Sequence, residues 1–441
     1  MPAPLSRRKF LGGAASAGAG VCLGLSSTAG SVRAAPAAAS PASATVNPAG
    51  TWPVWDARDE NALLDVLRSG KWGRGVGTRV KEFESALASR MQAKHCIATA
   101  SGTTALLSSL GALDIGPGDE VILPPYTFIA TFNVITATYA LPVFADVDAA
   151  TFQIDAAKMA AAITPATRLL LPVHIGGSAC DLDAIAEVSR SRKIPFVEDA
   201  CQAPAAEWRG RPVGTRGISG CISFQASKNL TSGEGGAVLT DDEAFADKVY
   251  NFHTPTSLRK GEPSGRGANF RLTEFQGALL LSQLSRFDAQ QDVRNANATY
   301  LASLVRKIPG LAPAQLTPGN NRSAWHLFMM RYDARRFAGL PRAKFLEALS
   351  RAGVSASSGY TRLNLAPQVT ALAANPHYQR IYGKETMARW VERNQCPVND
   401  RLTEEAFWLP QTRLLGSRSD MERIAEAMSK VQQRAGELAR A

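Results

Sequence analysis

Between Cys96 and Leu239 the chain repeats one pattern: a short apolar run, a break of small or turn-forming residues, and often a longer stretch with helical spacing. The runs Cys96–Ala100, Glu120–Leu123, Pro142–Ala145, Leu169–Val173, Ile194–Glu198, Cys221–Phe224 and Gly236–Leu239 read as strands. Thr103–Leu113 and Asp181–Arg190 read as helices between them. This alternation predicts an α/β protein with a mostly parallel central sheet covered by helices on both faces. Ligands of such sheets collect at the carboxyl ends of the strands. The residues just after each run are therefore where chemistry is expected.

Flanking segments extend the plan. Asp59–Arg68 has Leu63, Leu64 and Leu67 on one helical face and stops at Ser69-Gly70. Val80, Phe83 and Leu87 mark a second helix. Thr273 and Gln276 form a capping-box start for a long helix through about Phe287. A change of domain is expected near there, giving a large domain over 41–290 and a smaller α+β domain over 291–441. In the latter, His326–Tyr332, Pro341–Arg351 and the segment from Asp420 onward carry the regular structure.

The 441 residues, 45% hydrophobic, suffice for one large and one smaller domain. The net charge of +11 comes without a basic helix interleaved with aromatics, so nothing points to nucleic acid. A solvated basic surface, or an anionic cofactor and substrate, accounts for it. The six cysteines form no CxxC pair, which argues against a disulfide framework or a zinc site. Residues 1–40 read as an address and linker. SRRKFLGG (Ser6–Gly13) places twin arginines before a weakly apolar, Gly/Ala-rich stretch, and small residues near Val32–Ala39 could be cut. This resembles a twin-arginine export signal, a route that carries folded proteins, and predicts a periplasmic location. Glycines and serines interrupt the stretch, so no permanent membrane span is expected.

Four segments after strands carry the chemistry. In SGTTAL (Ser101–Leu106), Gly102 allows close backbone approach. The amides of Thr103 and Thr104 would open a helix toward an anion, or the segment is an ordinary cap. In PPYTFIAT (Pro124–Thr131), Phe128 either stacks on a flat ring or packs in the core. VEDACQA places Asp199 at a strand end and Gln202 three residues on. SFQASKNLTSGEGG places Ser223 five residues before Lys228. A lysine after one strand and a carboxylate after another suit pyridoxal 5′-phosphate. The lysine forms its Schiff base, and the acid holds the pyridine nitrogen protonated. Asp199 as a plain helix cap is the other reading.

Taken together, WPVWD, SGTTAL, PPYTF, DVD, PVHIGG, VEDACQA, SFQASKNLTSGEGG and NFRLTEFQGAL resemble the DegT/DnrJ/EryC1/StrS sugar aminotransferases from about Trp52 to the C-terminus. The resemblance implies a fold-type I pyridoxal phosphate aminotransferase working by a ping-pong mechanism. Glutamate or glutamine would be the donor, and a keto sugar (nucleotide-linked in many relatives) or a keto cyclitol the acceptor. It implies Lys228 as the Schiff-base lysine and proton carrier, and Asp199 on the pyridine nitrogen. It also implies Gln202 on the ring oxygen, Phe128 stacked on the ring, and Ser223 with the Thr103 and Thr104 amides on the phosphate. Asn269 would bind phosphate from the partner chain of a homodimer. His174, His326 and Tyr360 match family positions that face the substrate or serve structure. Two residues depart from the pattern: Cys201, and Pro204 where many relatives carry histidine. A branch with histidine in place of the lysine performs dehydration, and Lys228 argues against it. The opening WPVWD…SGKWGRG is closer to relatives acting on cyclic ketones. A non-catalytic cofactor-binding sensor and a dehydratase or eliminase are the competing functions.

Overall fold

The computed structural model describes residues 51–254 and 258–440. The export-like leader and the linker lie outside the described residues. A seven-strand array forms the centre. Its order is Leu141–Phe144, Glu120–Leu123, Thr167–Leu170, Val197–Asp199, Ser219–Ser223, Gly236–Thr240, His95–Thr99. Two hydrogen-bonded groups meet at the parallel bridges Leu170–Phe196 and Val173–Asp199. Only Gly236–Thr240 runs against its neighbours, pairing antiparallel with both. The mostly parallel sheet expected from the sequence is therefore present, with every strand end within three residues of the one expected.

Burial follows the strand period. Val121 and Leu123 join one apolar cluster with Ile97, Leu169 and Val238. Ile122 points the other way, into a second cluster with Phe83, Leu170 and Ile222. Side chains alternate across a strand, so a sheet covered on both faces needs apolar residues at every position. That is why these runs read as continuous rather than alternating.

The long helix is Glu274–Val305, 32 residues, opened by the capping box of Thr273 and Gln276. It passes well beyond Phe287 and through the position where a change of domain was expected. Its buried positions after Phe287 include Gln291 and Arg294, followed by Ala298 and Leu301. Polar residues at core positions hide the helical period from a sequence reader. Near its start the helix holds Asp59, whose Oδ2 lies 2.7 Å from Arg286 Nη2 and whose Oδ1 accepts from Gln283 Nε2 at 2.9 Å. The first helix, Ala57–Ser69, is fixed to it by these bonds.

A three-stranded antiparallel sheet, Leu311–Pro313, Leu327–Tyr332 and Ala406–Pro410, follows. The helices Arg342–Arg351 and Arg418–Gln433 contribute to the core around it, which contains Phe328, Phe337, Phe345 and Phe407. No helix among the described residues is long and apolar enough to cross a membrane.

Gly277 shows how tightly the long helix is seated. A methyl group there would lie 2.8 Å from Val80 N and 2.9 Å from Val80 Cα, both backbone atoms of the Arg79–Arg90 helix. Alanine would gain about 1 kcal/mol of helix propensity. Overpacking against a backbone that cannot yield costs about 1–3 kcal/mol. Gly277→Ala is expected to lower the denaturation midpoint; a raised midpoint would contradict this packing.

Candidate active site

A cleft of about 490 Å3 opens at the carboxyl ends of the parallel strands. The acid at its base comes from a strand that ends in two carboxylates. Alternation sends Glu198 and Asp199 to opposite sides. Glu198 is fully buried and accepts from the amides of Gly214, Arg216 and Gly217 at 2.7–2.8 Å. Its Oε2 also lies 2.9 Å from His174 Nε2. The Nδ1 of His174 accepts from Cys180 N at 3.1 Å, so the ring carries its proton on Nε2 and donates to Glu198. His174 is thus a structural residue, away from the cleft.

Asp199 faces the cleft. Its Oδ2 accepts from Thr131 Oγ1 at 2.8 Å, and Thr131 in turn lies 2.9 Å from Thr127 Oγ1. Oδ1 receives the Cys201 amide at 3.2 Å. The carboxylate is only 4% exposed and is fixed through both oxygens, yet it still lines the cavity. Gln202 is fixed likewise. Its Oε1 accepts from Gly176 N at 2.8 Å, and its Nε2 donates to Tyr360 Oη at 2.7 Å. One amide N–H remains for a ligand.

Lys228 lies in the loop between the Ser219–Ser223 and Gly236–Thr240 strands, beyond a turn in which its amide donates to Gln225 O at 2.8 Å. Burial holds its ammonium below the usual lysine range, against the pull of Cys201 and Asp199 toward the charged form. A shift toward the neutral amine suits a nucleophile and proton carrier.

The anion end is built from Gly102 and Thr103, the first residues of the Gly102–Ala112 helix, with Ser223 opposite. A methyl on Gly102 would lie 2.7 Å from Ser223 Cβ and 2.8 Å from Cys201 Sγ, so only glycine leaves this corner open. The helix start supplies amide donors and the positive dipole end.

Of the expected site residues, Lys228, Asp199, Gln202, Phe128, Ser223 and Thr103 all line this one cleft. Phe128 keeps 56% of its surface exposed at the rim, as a stacking residue requires and a core aromatic does not. One expectation changes, that for Thr104. The Thr104 amide donates to Ser101 Oγ at 3.1 Å, and Thr104 Oγ1 accepts from the Ser101 amide at 2.9 Å. That capping box consumes the donor, and Gly102, rather than Thr104, lines the cleft beside Thr103. Asn269 is exposed and outside the cleft of its own chain, with Oδ1 accepting from Arg271 Nε at 2.8 Å. Thr127 and Thr131 had no role in the sequence reading. Their spacing of four at the start of the Ile129–Ala137 helix was the available signal. His326 and Tyr360 also line the cleft. Burial, with the charges of Lys228 and Arg294, pushes His326 well below its ordinary value, so it stands neutral.

The residues fit pyridoxal 5′-phosphate: an available lysine, a buried acid, a rim aromatic and an open cradle at a helix start meet in one cavity. Comparison with known proteins agrees. Residues 53–429 match the profile of the DegT/DnrJ/EryC1/StrS aminotransferase family. The chain belongs to that family and is a pyridoxal phosphate-dependent aminotransferase. Among curated relatives, the L-glutamine:2-deoxy-scyllo-inosose aminotransferase of Streptomyces kanamyceticus is 34% identical over 414 residues, covering 88% of this chain and 95% of its own. Among solved structures, 3-amino-5-hydroxybenzoic acid synthase superposes with a TM-score of 0.77 at 31% identity, covering 87% of this chain and 98% of its own. The NtdA protein of Bacillus subtilis, solved with its cofactor PMP bound, gives 0.72 at 26% identity, with 86% and 82% covered.

The cradle gives a direct test. Gly102→Ala is expected to weaken pyridoxal phosphate binding roughly tenfold to a hundredfold, from about 1–3 kcal/mol of crowding. Absorbance titration of the cofactor-free protein measures it. An unchanged affinity would remove the phosphate from this corner.

Proposed function

We propose that this enzyme transfers the amino group of L-glutamine or L-glutamate to the ketone of a cyclic polyol or sugar, in two half-reactions. The observation that carries this is the meeting of Lys228 and Asp199 in one cleft, with the lysine held toward its neutral form. The cyclitol reading is supported by similarity to the L-glutamine:2-deoxy-scyllo-inosose aminotransferase along 95% of that protein's length. Bound pyridoxal phosphate supplies a ring that accepts negative charge from the donor's α-carbon and stores the amino group between substrates.

The chain's own residues do the rest. Lys228 Nζ is the base for the α-proton and afterwards the acid that returns it. Asp199, braced by Thr131 and the Cys201 amide, places a fixed negative charge beneath the cleft. The amides of Gly102 and Thr103 and the Ser223 hydroxyl hold the phosphate. Gln202 offers its remaining N–H to the ring oxygen, with Tyr360 fixing its orientation.

A homodimer completes the site in this reading, with Asn269 reaching the partner's phosphate. Exposed Trp72, Val76 and Leu258 offer apolar surface for such a contact. Co-refolding Lys228→Ala with Asn269→Ala should then give mixed dimers holding one intact site. Activity of the mixture should exceed that of the two variants assayed apart; no gain would argue that sites are not shared. The twin-arginine-like leader supports a periplasmic site of action. Cell fractionation of the full chain, with and without lysines replacing Arg7 and Arg8, tests this point.

The central experiment is spectroscopic. L-glutamine added to the holoenzyme should bleach the visible band of the lysine-bound cofactor, and a keto cyclitol should restore it. Lys228→Ala should abolish turnover. A band that ignores every amino acid would refute aminotransfer.

A further inference from the structure

Arg294 is fully buried on the long helix, yet it has no acidic partner among the described residues. Other well-buried arginines do: Arg286 pairs with Asp59 at 2.7 Å, and Arg74 with Glu84 at 2.7 Å. Arg294 Nε donates to Gln411 Oε1 at 2.8 Å, but Nη1 and Nη2 have no hydrogen-bond partner among the described residues. Burying a guanidinium with both terminal nitrogens unmet is strongly unfavourable unless an anion or ordered water answers them.

Two further orphaned atoms lie in the same neighbourhood. His326 Nδ1 is buried without a partner, and His326 lines the cleft. Gln411 joins the two residues: its side chain accepts from Arg294, and its amide donates to His326 O at 3.0 Å. Asn229 Oδ1, beside Lys228, is also unmet. Asn229 Nδ2 bonds Gln291 Oε1, one helical turn before Arg294, and Ala324 O, two residues before His326. Trp52 lies over the guanidinium at 5.3 Å, and its indole N–H donates to Ala226 O at 2.8 Å, two residues before Lys228. The cover of the arginine and the loop of the lysine are thus tied together.

We propose that Arg294 and His326 form a binding site for a small monoanion of the carboxylate class, and that its occupant is the α-carboxylate of the amino donor. The guanidinium fork matches a carboxylate in two parallel hydrogen bonds. Neutral His326, in the tautomer with its proton on Nδ1, adds a third donor. Trp52 yields its place as the carboxylate enters. The donor is then held at one end by the arginine and presents its amine to the Lys228 side of the cleft. This rests on the aminotransfer reading above and adds the residue that selects amino acids over other amines.

The test uses the holoenzyme and two donors, L-glutamine and L-glutaminamide, which has an amide in place of the α-carboxylate. Bleaching of the visible band gives the half-saturating concentration for each. Arg294→Met should raise that for L-glutamine roughly tenfold to a hundredfold, the range for losing a charged hydrogen-bonded pair. L-glutaminamide should barely respond, and bound cofactor should be unchanged. Arg294→Lys, which keeps the charge and loses the fork, should fall between. Equal weakening of both donors would overturn the proposal, because it marks a packing role. No weakening of either would also overturn it. A resident inorganic anion is the other source of the same chemistry. If chloride rather than gluconate raises the melting temperature of the holoenzyme, Arg294→Met abolishes that rise and the donors are unaffected, the donor is overturned as occupant. A wild-type band that ignores all amino acids would instead sink the aminotransfer reading, independently of Arg294.

Discussion

The paired carboxylates at the end of one central strand organise the rest of the structure. Glu198 takes three backbone amides and a histidine, and these bonds hold it below the usual carboxylate range despite complete burial. By gathering residues 214–217 beneath the sheet, it fixes the lead into the Ser219–Ser223 strand and hence the position from which the Lys228 loop departs. Asp199, one residue later, points the other way and is braced by a different set of groups. Structural and chemical charges are separated by a single peptide unit, and the pleat alone keeps them apart. A one-residue slip of this strand would exchange their surroundings.

Much of this was legible in the sequence, for a specific reason. In a mostly parallel sheet the functional residues follow apolar runs or close them: Thr103, Phe128, Asp199 and Lys228 come after such runs, and Ser223 ends its strand. The runs announce themselves because both faces are covered. What was illegible depended on partners that sequence does not display. Thr104 looks as available as Thr103, and only the capping geometry shows that its amide is taken. Thr131 gains its role from the carboxylate it meets 68 residues later. The long helix seemed to end at Phe287 because polar side chains occupy its next buried positions.

Arg294 belongs to the same lesson. In sequence it is one more arginine in a polar stretch. In the fold it is a well-buried cation with no acidic partner among the described residues, set beneath an indole and close to a cleft-lining histidine. On the proposal above, the site is asymmetric in charge. A negative group lies at the base of the cleft where the pyridine nitrogen is expected, and a buried positive group lies close to the lining His326. An amino acid carries the complementary pair, a cationic amine and an anionic carboxylate.

The unbroken helix from Glu274 to Val305 has a consequence for movement. At 1.5 Å per residue, its 32 residues make a rod of about 48 Å. Its start is pinned to the first helix through Asp59, and its middle carries Arg294 and Gln291 behind the active-site loop. Its later turns hold the C-terminal segment through Asn297, which donates to Leu414 O and Gly416 O. A rod has no hinge at its midpoint. Any swing of the C-terminal sheet during turnover would be delivered along the helix to the back of the substrate cleft, so opening at one end of the molecule and grip on the donor at the other would be a single mechanical event.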